Sequence, residues 1–150
     1  MDIVSILDRV VSHAMALGLF ERVNQHEPKN APGNGLTYAV WSQSMQPLPL
    51  ASGLASTTGR IEFNCRIYTS MLQQPYDMID PNIITATDKL MAAYSGDFDL
   101  GGTIRDVDLL GEHGTPLSAN AGYLTQDSKT FRVMTITLPL IVNDLWDQGA

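Results

Sequence analysis

The segment Arg60–Thr69, RIEFNCRIYT, alternates without a break. Ile61, Phe63, Cys65 and Ile67 fall on one side of an extended chain; Arg60, Glu62, Asn64, Arg66 and Tyr68 fall on the other. A period of two, carried by β-branched and aromatic residues, marks a strand with one face in the core. The opposite face is expected to meet solvent or a neighbouring subunit.

The flanking sequence supplies layers for that strand. Asp2–Leu17 reads as an amphipathic helix: Ile3, Ile6, Leu7, Val10, Val11, Ala14 and Leu17 follow the 3.6 period, Asp2 caps the start and Gly18 suits the C′ position. Phe20–His26 reads as a strand of imperfect alternation. Glu27–Gly35, EPKNAPGNG, is a loop by its turn residues, and Leu36–Ser42 is a second strand. Gln43–Gly59 shows neither period and reads as a long mobile loop, with Pro47-Leu48-Pro49-Leu50 followed by ASGLASTTG. Loops beyond about 12–15 residues are uncommon in compact domains and often functional.

On the other side, Asp80-Pro81 predicts a helix start, with Asp80 as cap and the helix running to about Tyr94. It should bury Ile83, Ile84, Thr87, Leu90, Met91 and Tyr94. Gly101-Gly102 predicts a tight turn. Thr103–Leu110, Ala119–Gln126 and Thr130–Val142 read as three further strands, the last two joined by a hairpin turn at Asp127-Ser128. The expected architecture is α+β, a mainly antiparallel sheet packed by two helices in the order α-β-β-β-α-β-β-β. Residues 1–150 form one domain, with the long loop at 43–59 and no internal repeat.

Composition narrows the function classes. The chain has 150 residues, formal charge −7, 44% hydrophobic and 17% charged residues, which is globular and needs no disulfide or metal staple. The single cysteine, Cys65, excludes an intrachain disulfide framework, and its apolar strand face predicts inert core. The longest apolar run, Leu138–Val142, is far short of a membrane span, and Met1-Asp2-Ile3 lacks the basic start of a signal peptide. The expectation is a soluble protein made in a reducing cytosol. Residues 1–76 hold five acids and five bases, whereas residues 77–150 hold eleven acids and four bases. An acidic half disfavours a domain that grips DNA.

No catalytic, cofactor-binding or metal-ligating constellation emerges. His13, His26 and His113 are scattered, no serine sits in a nucleophile elbow, and neither phosphate-binding glycine motif is present. Asp97 with Asp99, and Asp106 with Asp108, each place two carboxylates on one side of an extended chain. Such pairs suit calcium or acid–base work, but they lack a metal-loop spacing or a partner, and solvated edges are the commoner role. Function is expected in surfaces.

Five stretches carry a resemblance: the opening helix Ile3–Leu17, the strand Ile61–Thr69, YDMIDP (Tyr76–Pro81), YSGDFDLGGTIRDVDLL (Tyr94–Leu110) and AGYLTQDSKTFRVMTITLPLIVND (Ala121–Asp144). Together they resemble the tail terminator proteins of long-tailed, siphovirus-type bacteriophages across almost the whole chain. The resemblance implies a virion structural protein, not an enzyme, without cofactor or metal. It implies a homo-hexameric ring at the head-proximal end of the tail tube that stops polymerisation of the major tail tube protein and joins the head's connector. DNA would pass through the lumen without specific binding, and no membrane is involved. The protein would be made in the host bacterial cytoplasm and located in the virion tail.

In the family a mobile loop between two central strands contacts the tube. The matching stretch is 43–58, where Met45, Leu48, Leu50 and Leu54 are the apolar docking candidates. Ring closure needs two different patches per subunit. Arg60 and Arg66 on the strand's polar face, against Asp106 and Asp108, are the candidates for subunit contacts; the competing role for all four is as solvated side chains. Alternative readings are another neck or tail-completion protein and, from a different class, a small α+β enzyme or ligand-binding domain with its pocket between sheet and helices.

Overall fold

The computed structural model describes residues 1–25, 35–49, 56–71 and 78–147. In chain order these form α1 (Ile3–Leu17), β1 (Arg22–Asn24), β2 (Thr37–Pro47), β3 (Ser56–Ser70), α2 (Ile79–Gly96), β4 (Asp106–Val107), β5 (Ser118–Gln126) and β6 (Lys129–Asp147). Among the described residues the sheet has six strands, ordered β1-β2-β3-β6-β4, with β5 also on β6. β3 takes one edge of β6 throughout, so β4 and β5 share the other edge end to end. β1 runs parallel to β2 and every other pairing is antiparallel, so the fold is α+β on a mixed sheet.

The alternating segment is the centre of this sheet. Ile61, Phe63, Cys65 and Ile67 are at most 1% exposed and meet the core faces of β2 and β6 through Tyr38, Val40, Ile136, Leu138 and Leu140. Both helices cover this face, α1 through Ile6, Val10 and Ala14, α2 through Ile83, Ala86, Leu90 and Tyr94. Asp2 caps α1 by accepting the Ser5 N–H at 3.1 Å, and Gly18 ends it at φ 65°, a left-handed value that favours glycine. Between the layers runs a buried polar line. Tyr94 Oη donates to the Val10 carbonyl at 3.1 Å and lies 2.7 Å from Tyr38 Oη, so one chain of hydroxyls joins α1, α2 and β2. Burial pushes the neighbouring Cys65 thiol up to about 12, which keeps it an inert core group.

The opposite face differs from expectation at two residues. Tyr68 is 1% exposed in a second, smaller cluster with Ala39, Phe131 and Val133. Arg60 is 2% exposed. The strand's polar side is therefore partly closed, because aromatic neighbours on adjacent strands cover one end and a turn covers the other.

The loop expected at 43–59 is largely strand. Ser44–Pro47 of β2 pairs with Gly59–Glu62 of β3, and β3 continues back to Ser56. A bulge between Ser42 and Ser44 shifts the phase of β2, and Ser42–Pro47 is exposed on both faces, so neither alternation nor hydrophobicity marks it. Residues 50–55 lie outside the described residues, as does most of the Glu27–Gly35 loop.

Other boundaries move, and the last strand, expected over Thr130–Val142, runs on to Asp147. The strand expected over Phe20–His26 shrinks to the three residues of β1, an edge with Arg22 exposed. The strand expected over Thr103–Leu110 shrinks to β4, because the Thr103 and Ile104 N–H groups are bound in a turn on the Asp99 carbonyl. α2 begins at Ile79 after Met78, so Asp80 lies in its first turn instead of capping it. The buried face is Ile79, Ile83, Ala86, Thr87, Leu90 and Tyr94, and Ile84, one residue out of phase, is 53% exposed. Asp127 and Ser128 form the expected hairpin turn, both at positive φ, 53° and 63°.

Candidate functional site

Arg60 and Asp108, two of the four predicted subunit-contact residues, satisfy each other inside one chain. Arg60 Nε donates to Asp108 Oδ2 at 3.3 Å, Nη1 donates to Glu62 Oε1, and Nη2 donates to the Thr115 carbonyl. Asp108, 5% exposed, also accepts the N–H groups of Glu112 at 2.8 Å and His113 at 3.0 Å. The guanidinium is thus the peg on which the turn 108–115 is hung. Gly114 allows the approach: a Cβ there would lie 2.8 Å from Arg60 Cζ. Neither residue is free for a neighbour, which corrects the sequence expectation. Buried carboxylates need this kind of compensation, and their pairing was invisible because 48 residues separate the partners.

Arg66 and Asp106 remain on the surface, on the sheet face opposite the helices. Arg66 is half-buried; its Nε donates to Thr135 Oγ1 at 2.8 Å and its guanidinium lies 5.2 Å from the Trp41 ring and 6.0 Å from that of Tyr68. Asp106 shares a cross-strand row with Arg60 through Ile141. Six residues of strand, roughly 20 Å, separate that row from Arg66. Burial, opposed by Arg105 and reinforced by Asp108, raises the Asp106 carboxyl above its ordinary range. Arg66 and Asp106 are therefore two separate patches.

Of the four docking candidates, Met45 stands on β2 and is 45% exposed. Leu48 is 6% exposed and its N–H donates to the Thr58 carbonyl at 2.8 Å, so it belongs to the body of the sheet. Leu50 and Leu54 lie outside the described residues.

No protein-family model matches the chain, and no curated protein matches it.

Of the carboxylate pair Asp97 and Asp99, only the Asp97 side chain is built into a junction between the helices, while Asp99 binds the following turn through its backbone carbonyl. Asp97 Oδ2 accepts Arg9 Nε at 2.7 Å and lies 2.7 Å from His13 Nε2, both on α1, while Oδ1 accepts the Gly101 N–H at 3.0 Å. Burial raises this carboxyl, but the Arg9, His13 and Gly101 hydrogen bonds outweigh it and hold the group at about 2, against an ordinary 3.8. A depressed folded value means the stabilisation is present above pH 4 and is lost as pH falls towards 2. Asp97→Asn should therefore remove about 1–2 kcal/mol at pH 6 and flatten the acid limb of stability. Thermal melts of both proteins between pH 6 and 2.5 check this; parallel curves would contradict it.

Among the described residues, no group of three His, Cys, Asp or Glu could hold a metal ion, and no helix is long and apolar enough to cross a membrane. The space between sheet and helices, where a ligand pocket was one alternative, is filled by fully buried side chains such as Ile6, Tyr38, Ile61 and Leu90. An open hollow of about 210 Å³ lies elsewhere, lined by Gly102, Thr103, Ile104, Arg105, Val142 and Asn143. Sequence patterning did not single out the exposed Leu110 and Tyr123. Leu110 is 93% exposed at the turn that Asp108 holds, and Tyr123 is 66% exposed on β5, stacked 4.6 Å from the Arg132 guanidinium. Leu110 closes the stretch Thr103–Leu110 that reads as strand, on the same side as Asp106 and Asp108.

Proposed function

We propose that this chain is a virion structural subunit, a tail terminator whose ring caps the head-proximal end of a phage tail tube and offers the head a joining surface. The observation that carries the reading is the outer half of β2. Ser42–Pro47 is paired with β3 yet exposed on both faces, and it displays Met45 where the resemblance calls for a tube-contacting element. The helices occupy one sheet face only, which leaves the other, with Trp41, Asn64, Arg66 and Thr135, for contacts outside the chain. In this reading six copies surround a lumen through which DNA slides without sequence recognition, and the partners are the tube protein and a neck component.

Met45→Glu tests it. The substitution puts a charge on an exposed strand and should leave the melting temperature within about 2 °C of the parent, since surface changes stay within about 0.5 kcal/mol. It should abolish the length control that the parent exerts on polymerising tube protein, scored by electron microscopy. If the parent neither forms rings nor limits tubes, the reading fails. If Met45→Glu still limits them, the docking assignment fails. Binding at a neck junction in place of the tube end would favour the tail-completion alternative.

A further inference from the structure

The sheet ends in two long edges that carry no charge. On one side β1 covers β2 only at Thr37–Ala39, and among the described residues no strand pairs with the outer edge of Val40–Pro47. On the other side, none pairs with the outer edge of Ser118–Thr125. These segments read VWSQSMQP and SANAGYLT, without one Asp, Glu, Lys or Arg in a chain that is 17% charged. Monomeric proteins guard long edges with lysine, inward charges or a covering element, because rows of unpaired N–H and C=O groups recruit strands. Here charged residues are missing from both, β2 keeping only its Ser42–Ser44 bulge and Pro47 and β5 only the hydrogen bond from Arg132 Nη1 to the Gly122 carbonyl, and exposed Met45 and Tyr123 stand on these same strands.

We propose that the two edges pair with each other between copies of this chain, β5 of one against β2 of the next. Geometry favours this partner. β2, β3, β6 and β5 alternate in direction, so the two outer strands run opposite ways. A rotation about an axis along the strands preserves direction, so the β5–β2 junction is antiparallel and continues the alternation. The helices then stay on one side. The lengths also match, eight residues each, enough for about eight backbone hydrogen bonds. Self-pairing of β2 would oppose two copies of its Ser42–Ser44 bulge, whereas β5 is regular along its length. Two different edges make the contact heterologous, the kind that closes into a ring or grows into a filament. The inference stands on the edges alone and holds even if the virion role does not.

Disulfide trapping tests it, because the only native cysteine, Cys65, is fully buried. Ser44→Cys, on the helix-free face of β2, is combined in turn with Ser118→Cys, Asn120→Cys and Gly122→Cys on the same face of β5. Antiparallel neighbours place Cβ atoms about 4.5–5.5 Å apart, within reach of a disulfide in the matching register. At millimolar protein and mild oxidation, one double variant should give a covalent ladder of oligomers on a non-reducing gel. Ser44→Cys alone and each β5 variant alone should stay monomeric. Cross-linked dimers from a single variant would show like-with-like pairing, and no ladder from any combination would show no edge pairing; either result overturns the proposal. A ladder from a protein that fails to limit tubes counts against the virion reading only, and tube capping without any ladder counts against edge pairing only.

Discussion

Arg60→Met should destabilise the folded chain by about 3–5 kcal/mol, among the largest losses available to a single substitution. Methionine roughly fills the space of the side chain, so the loss is electrostatic. It leaves Asp108 buried at 5% exposure with two backbone N–H groups but no cation, and it frees the Thr115 carbonyl. Paired buried ions often contribute little net stability, whereas an orphaned one is costly. The double variant Arg60→Met/Asp108→Leu should therefore recover part of the loss, and a double-mutant cycle by urea denaturation measures the coupling. Additive losses would mean that the two residues do not act as a pair. Proteolysis should cut the single variant first in 108–115, since Arg60 pins that turn.

The second large effect is Phe63→Ala, at about 3–5 kcal/mol. Phe63 is 1% exposed on the central strand, between Ser42 of β2 and Leu138 of β6. Neither helix can follow it inward, because the Tyr38–Tyr94–Val10 hydrogen-bond line fixes their height above the sheet. The cavity should stay open, which puts the cost at the upper end of the range. An unchanged thermal melt would mean that the facing of Ile61–Ile67 is reversed.

These two residues also show what was legible in the chain. Phe63 could be placed at once, because alternation over Arg60–Thr69 has one physical solution, and α1 was equally plain from its period and caps. Arg60 was misplaced by the same logic. Alternation reports which side of a strand a residue takes, not whether a distant turn later closes over that side. Met45, Arg66 and Asp106 stand at the surface, while Leu48 and Asp108 are drawn in by long-range backbone and side-chain bonds. The exposed end of β2 escaped notice because a strand exposed on both faces has no hydrophobic pattern, and the bulge breaks its phase. The uncharged edges were open to inspection all along, but only topology shows that β2 and β5 are edges.

The pairing of β3 with β6 has a consequence for how the molecule is made. It joins 56–70 to 131–147, so the central ladder cannot close during synthesis until the segment near residue 147 has left the ribosome. Until then the nascent chain can form α1, α2 and the β2–β3 hairpin, while Ile61, Phe63 and Ile67 lack half of their cover. Sequence-distant pairings slow folding and prolong exposure to wrong partners. Chaperone occupancy should peak in that interval and fall once β6 is complete, giving the growing chain a late and abrupt commitment to its native state.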